Sequence, residues 1–502
     1  MDAEAIVIGS GFGGAVAALR LGEAGVRTLL LERGRRWEIK DPTANDTFAT
    51  FRRPDRRAEW MNEVSKTPGY EGIPIGKYAG VLEVLPADDL TLLAGAGVGG
   101  GSLVYGGILI QPPGDQFRRV FPPEVDYDEM DRVYYPRVRS VVHTVPIPDD
   151  VLNSRYYAGL RVLLDQALAA GFKEVPTTTG TGDGVCRFPM AVDWDIVRGE
   201  IAGTKVPSVI AAEFWFGNNS GAKQTLDRDY IRRAEETGAV EVRPLHLVRE
   251  VADGPAGGYR VTVDRIDETG DRLGTEELTC RYLFLAAGTL GTTRLLMKAR
   301  AAGTVRGLPD GLGEGFGNDG DVFLIRTTIP GLTNPHLGGP GAVAVMNYDN
   351  PVRPCVMMRA PFPRFAQDYP KLDAIGTFVF TLTAHRGRLV YDPAADTVRV
   401  EYRPDSDEPA RRLAERLNGA GGGTLSSVAS RTTGHQLGGA CMGVVCDDRG
   451  RVRGRPGLYV VDGALIPGST TCVNPALTIA AIAERCLDDI LARDISRRPE
   501  AV

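Results

Sequence analysis

Long apolar runs are missing from this chain of 502 residues. No stretch approaches the roughly 18 apolar residues that cross a bilayer, so stable membrane insertion is not expected. Basic charge is not in excess either: Lys and Arg total 58 against 64 for Asp and Glu, a formal net charge of -6. That balance argues against a general nucleic-acid or anionic-membrane binder, which needs a basic face, and leaves room only for a local basic patch. Cysteine is sparse, and its seven residues include no CxxC pair. A zinc site or disulfide framework is therefore not expected and no metal is assigned; reduced buried thiols are the default, with Cys441 and Cys446 the one pairing left open. A leader is not expected either. The apolar run Ala5–Ile8 is short, has no basic residues before it and runs straight into a glycine turn, so a cytoplasmic protein is expected.

Glycine, by contrast, is abundant at 62 residues, and much of it is clustered. The first cluster follows the apolar strand candidate 5–8 as Gly9-Ser10-Gly11-Phe12-Gly13-Gly14, with a helical stretch after it from Ala15 to Ala24. A GxGxxG turn between strand and helix is the context a dinucleotide site demands. Gly9 permits the turn, Gly11 lets backbone approach a pyrophosphate, and Gly14 lets helix pack on strand, with the phosphates at the helix N-terminus. A second strand, 28–31, ends in Glu32 followed by Arg33. An acid there accepts hydrogen bonds from an adenosine ribose and repels a 2′-phosphate, which points to FAD or NAD and away from NADP.

Further segments narrow the choice. The run 95–107, Gly-Ala-Gly-Val-Gly-Gly-Gly-Ser-Leu-Val-Tyr-Gly-Gly, makes poor helix and poor strand. It reads as a flexible linker or as a backbone surface that a flat or anionic group approaches closely; Leu103, Val104 and the apolar 108–110 favour a packed loop. Residues 281–293 read as a buried strand, a turn at Gly288 and a helix to about Lys298. Residues 457–463 read as a strand ending in Asp462-Gly463, with Asn474-Pro475 and a helix of about 476–490 behind it. An Asp at that strand tip suits a ribityl hydroxyl and the flavin head.

The ordered segments GVGGGSLVYGG, FLAAGTLGTTRLL, HQLGGACMG, LYVVDGALIPGS and VNPALTIAAIAER resemble the bacterial cholesterol oxidases of the glucose–methanol–choline family, across essentially the whole chain and most weakly over 40–75 and 305–430. The resemblance implies an α/β protein: a Rossmann-like FAD-binding domain from 1–42, 222–304 and 448–502, interleaved with an α+β substrate domain, 43–221 and 305–447, containing a large mixed sheet. It implies cofactor contacts at Gly9, Gly11, Phe12, Gly13, Gly14, Glu32, Arg33, Gly97, Gly101, Ser102, Tyr105, Gly106, the Val248 backbone, Gly288, Asp462, Gly463 and Asn474. The glycine run holds no His, so non-covalent FAD is expected. A monomer, a small-molecule alcohol substrate and dioxygen or another electron acceptor are implied as well.

Oxidising an alcohol moves a hydride to the flavin and a proton to a base, and a base working near neutral pH favours histidine. The chain has only five. His435 stands out because glycines flank its segment, Gly434-His435-Gln436-Leu437-Gly438-Gly439. The family resemblance makes it the catalytic residue facing the substrate hydroxyl, with Asn474 as a partner hydrogen-bonding the substrate oxygen. A plain helix N-cap ahead of Pro475 is the alternative role for Asn474, and the two are compatible.

Two departures from the resemblance stand out. Family members that also isomerise a steroid double bond carry a glutamate two residues before an Ala-Pro-x-Pro segment; here Met358 precedes Ala360-Pro361-Phe362-Pro363. Methionine cannot carry a proton between carbons, so Met358, with Tyr105, is placed in the substrate pocket and isomerisation is not expected. One extra residue in 469–474 is expected to shift the pocket floor. Segment 43–75, with Phe48, Phe51, Trp60 and Met61, reads as a substrate lid or as a solvated surface excursion. The alternatives to alcohol oxidation are a lyase on the same FAD scaffold and, less well supported, an NAD-dependent reductase.

Overall fold

The computed structural model describes residues 1–87, 90–255, 257–362, 373–429 and 432–495. Pro363, which closes the Ala-Pro-x-Pro segment, lies outside them.

A five-stranded parallel sheet forms the base of the cofactor half. Its strands run in the order Leu458–Val460, Tyr282–Leu285, Ala5–Ile8, Thr28–Leu31 and Val240–Arg243. The central three are four-residue runs, apolar except for Thr28 and buried at every position. Continuous apolar runs, not alternating ones, are what a sheet covered on both faces requires. Helix Phe12–Glu23 starts three residues earlier than the expected 15–24, because the chain turns helical immediately after Gly11. It packs against helices Tyr230–Glu236 and Pro475–Ile490. Helix Gly288–Ala302 rises from the tip of strand Tyr282–Leu285 and packs on an antiparallel three-stranded layer beginning with His246–Asp253.

The large sheet of the substrate half has six strands, ordered Thr424–Ala429, Val322–Thr327, Ile375–Thr381, Cys355–Arg359, Val343–Asn347 and Gly184–Arg187. All its described pairings are antiparallel. Helices Ala158–Ala169 and Glu408–Gly421 pack against it. Met358 pairs with Phe378, and Phe380 lies two residues on, so the three share one face. That face roofs a cavity of about 370 Å³ between the two sheets.

The glycine run is a packed loop, not a linker. It leaves the hairpin Leu82–Pro86/Thr91–Gly95 and closes into one 3-10 turn, Gly100–Leu103. The short strand Thr432–Thr433 pairs in parallel with Thr91–Leu92, which fixes the approach to His435. Segment 43–75 fits neither expectation. Phe48 stacks on Trp37 at 5.1 Å and Phe51 packs on Phe216 at 5.3 Å, inside an aromatic cluster that also takes in Tyr70 and Phe214. No residue of 43–75 lines the cavity. Mutual burial of large aromatic rings outweighs either a solvated excursion or a cover over substrate.

Candidate active site

The cavity wall that suits a dinucleotide is mostly backbone. Gly9 has φ +97°, and a Cβ there would lie 2.2 Å from the Ala286 carbonyl. At Gly11 an added Cβ would meet no protein atom within 4 Å, although the residue lines the cavity. The helix that starts at Phe12 has no side-chain cap, so its first N–H groups are free for an anion. Gly13, which also lines the cavity, and Gly14 serve close packing, because a Cβ on either would sit 1.9 Å from a carbonyl oxygen, of Val461 and Gly9 respectively. Open space above an uncapped helix start, with glycine wherever backbone meets backbone, fits the pyrophosphate of FAD.

Phe12, Glu32, Arg33, Gly101, Tyr105, Gly106, Val248, Gly288, Asp462 and Gly463 also line this cavity. Gly14, Gly97 and Ser102 do not. The Gly97 carbonyl accepts from Ser10 Oγ at 3.2 Å. Ser102 Oγ donates to Gly99 O at 2.7 Å and accepts the Leu226 N–H at 3.0 Å. These residues lock the loop behind the wall. Glu32 accepts from Ser10 N, Ser10 Oγ and Gly34 N, bonds that leave lone pairs for a ribose, and Arg33 pairs with Glu83. Asp462 joins two helix starts, accepting from Gly288 N at 2.8 Å, Thr292 Oγ1 at 2.6 Å and Ala464 N at 2.9 Å. Burial pushes its carboxyl up to about 6 in spite of these donors. Tyr105 donates its hydroxyl to Gln224 O at 2.8 Å, leaving the ring on the wall against Phe12 at 5.7 Å.

The other end of the site is made of side chains. His435 Nδ1 lies 2.8 Å from Asp321 Oδ1 and its Nε2 lies 3.4 Å from Asn474 Nδ2. Phe380 stands 5.5 Å from the imidazole, ring to ring. Burial disfavours the protonated imidazole. The charge and hydrogen bond of Asp321, with the charge of Asp319 behind it, outweigh burial and hold the pKa above the usual histidine value. Asn474 opens helix Pro475–Ile490, but its side chain makes no cap bond. The amide turns to His435, and its Oδ1 is buried with no partner, as expected of a group awaiting a ligand. The capping role is therefore not the one adopted.

Two acids in this network had escaped notice in the sequence. Asp321 sits at the mouth of strand Val322–Thr327, and its Oδ2 accepts from Thr433 Oγ1 at 2.6 Å. Asp319 accepts from Ser469 Oγ, Thr470 N and Thr470 Oγ1 at 2.9, 2.7 and 2.8 Å, and burial pushes it up to about 7. It anchors the loop that carries Asn474. In that loop Thr471 and Cys472 both take left-handed backbone, φ 67° and 65°, a costly conformation for non-glycine residues. The run Gly317-Asn318-Asp319-Gly320-Asp321 ahead of an apolar strand was the available signal. All seven cysteines are buried and free, so Cys441 and Cys446 are not bridged. Among the described residues no metal-holding cluster occurs, and no helix is long and apolar enough to cross a membrane.

Comparison with known proteins agrees with this geometry. The GMC oxidoreductase family profile matches residues 385–483, a span that includes His435 and Asn474. A cholesterol oxidase of Mycobacterium tuberculosis is 29% identical over 96% of this chain and 90% of its own length. One from Acinetobacter baumannii is 25% identical over 98% and 95%. In fold, a fungal aryl-alcohol oxidase superposes with TM-score 0.66 at 15% identity, covering 98% of this chain and 99% of the other. With a cavity shaped for a dinucleotide at one end and a histidine–amide pair at the other, the chain matches the GMC oxidoreductase profile over 385–483, resembles oxidases of that family along nearly its whole length, and is an FAD-dependent enzyme acting on alcohols.

Proposed function

We propose that the protein oxidises a bulky, largely apolar secondary alcohol, sterol-like or a biosynthetic intermediate of similar shape, to the ketone without moving a carbon–carbon double bond. The observation that carries this reading is the setting of His435: an imidazole on the cavity wall, paired with Asn474, beneath the apolar roof of Met358, Phe378 and Phe380. FAD held non-covalently along the glycine wall supplies the hydride acceptor. Among the described residues, His246 and His435 are the histidines that line the cavity and no cysteine does, so the described wall offers little for a covalent link through a thiol. His435 Nε2 takes the hydroxyl proton. Asn474 directs the substrate oxygen, and the roof excludes water from the reacting carbon. The cavity fits a division of the chain into a cofactor domain, 1–42, 222–304 and 448–502, and a substrate domain, 43–221 and 305–447.

Isomerisation needs an acid–base group above the substrate. Among the described residues the carboxylates on the wall are Glu32, Glu83, Asp321 and Asp462, and each is engaged elsewhere: Glu32 and Asp462 with backbone and hydroxyl donors, Glu83 with Arg33, and Asp321 with His435. At the roof position stands Met358. The decisive experiment is an anaerobic visible spectrum during addition of 3-hydroxysteroids and of non-steroid alcohols. Bleaching by a 3-hydroxy-5-ene steroid with the double bond retained in the product supports the reading. Bleaching by small alcohols alone moves the substrate class elsewhere, and turnover without bleaching identifies a lyase. Mixing the bleached enzyme with dioxygen then distinguishes an oxidase from a dehydrogenase.

A further inference from the structure

We propose that Asp321 is the positioning residue of this site: it holds the Nδ1 proton of His435, keeps Nε2 as the lone pair that meets substrate, and balances the charged imidazole beneath an apolar roof. The inference rests on the reading of His435 as the base. A carboxylate only accepts, so a 2.8 Å contact between Oδ1 and Nδ1 puts the shared proton on the imidazole. The acid is itself fixed. Thr433 Oγ1 donates to Asp321 Oδ2 at 2.6 Å and accepts the His435 backbone N–H at 3.0 Å. Acid, hydroxyl and histidine thus form a closed ring that leaves the imidazole little freedom to turn. Asn474 Nδ2 faces Nε2 from the other side, consistent with an unprotonated Nε2.

Among the described residues, the charges that act on the imidazole are those of Asp321 and Asp319. The helix that begins at Pro475 brings the neutral Asn474, and the sheet brings Phe380. The glycine segment brings Tyr105 to the same cavity. Tyr402 approaches only as far as Asn318, to which it donates at 2.8 Å. Asp321, backed by Asp319, is therefore the source of the negative potential that accompanies proton uptake. In the reaction the alcohol O–H bond breaks and its proton passes to Nε2, while the carbinol C–H pair leaves as hydride to the flavin. The imidazolium then carries a proton on each nitrogen, and Asp321 stays ionised.

Asp321→Asn separates this role from a structural one. The Thr433 hydroxyl retains the amide oxygen and turns the NH2 group toward Nδ1, which drives the imidazole proton to Nε2, where it blocks the base. The first measurement is 15N NMR of the histidine side chains in FAD-loaded protein without substrate, with His435→Gln assigning the signal among the five histidines. Wild type is expected to show neutral His435 protonated at Nδ1. The Asn variant is expected to show the opposite tautomer and a lower titration midpoint. In anaerobic bleaching by an alcohol, the variant's plateau rate should fall on the order of 10²-fold. Its acid limb should move to lower pH by about 1 unit, and Asp321→Glu should recover part of that shift. A purely structural role lowers the plateau and leaves the limb in place. Wild-type His435 protonated at Nε2, or an unmoved limb in the Asn variant, would overturn the proposal. If no alcohol bleaches the flavin, the reading of the base fails, yet the NMR tautomer still decides the role of Asp321.

Discussion

The two ends of the cavity hold their ligands by different means. At the dinucleotide end the wall is largely glycine backbone and an uncapped helix start, and two of its carboxylates, Glu32 and Asp462, are tied to backbone and hydroxyl donors. At the alcohol end the wall is side chain: His435, Asn474, Met358, Phe378 and Phe380. Backbone recognises what every flavoprotein of this kind shares, the pyrophosphate. In the proposed reaction, side chains choose the alcohol and carry its proton. Substitutions should therefore separate cleanly, with glycine changes costing flavin or fold and side-chain changes costing chemistry while the protein stays yellow.

The sharpest test lies within the glycine turn. Gly13→Ala puts a methyl 1.9 Å from the Val461 carbonyl, between backbone segments that have no flexible end to move. It should prevent folding to a soluble flavoprotein, seen as loss of soluble yield and of the cooperative melt. Gly11→Ala meets nothing in the protein, so the chain should fold with little change in Tm and purify largely colourless. Its affinity for added FAD should fall about 10-fold or more, since about 1.4 kcal/mol is enough for that. If Gly11→Ala retains full flavin, the open space above Gly11 is not where the cofactor lies.

At the other end, His435→Gln should keep the flavin spectrum and lose about 10²- to 10⁴-fold in the rate of bleaching by alcohol. Asn474→Ala should lose less, because the amide orients the substrate oxygen and takes no proton. A spectrum lost together with activity in either variant would break the division between the two ends. Met358→Leu conserves roof volume and polarity, so it should change bleaching by no more than a few-fold and destabilise by less than about 1.5 kcal/mol.

The same division explains what was legible before the fold was known. The cofactor half is local: a strand, a turn and a helix within residues 5–23 specify one another through glycine positions and apolar runs, and Glu32 follows at the next strand tip. The His435 loop was legible because glycines flank a scarce residue. Asp321 and Asp319 were not, because their meaning comes from contacts 114 and 151 residues away in sequence, and an acid ahead of a strand reads as an ordinary turn residue. The lid failed for a related reason. Phe48 and Phe51 were recognisable as apolar, but their burial against Trp37 and Phe216 is a pairing of distant segments. Ser102 and Gly97, expected as cofactor contacts, do not line the cavity and lie behind its wall. A glycine-rich run shows that backbone comes close to something without showing which of its faces does so.

The smallest expected effect concerns Asp319, the acid that supports the loop bearing Asn474. Burial favours its neutral form, while three donors from Ser469 and Thr470 favour the ionised one, and the balance lies at about 7 against about 3.9 for an unfolded aspartate. A carboxyl raised on folding contributes its stability fully below the unfolded value and loses it as pH climbs toward the folded one. Wild type should therefore lose ground to Asp319→Asn, which stays neutral throughout, as pH rises from 4 to 7, with no further change above that. In a chain of 502 residues the drift in the Tm difference should amount to a few °C. A Tm difference independent of pH would mean that the three donors keep Asp319 ionised. Two full negative charges would then flank His435, and the acid limb of alcohol oxidation should lie still further above the usual histidine range.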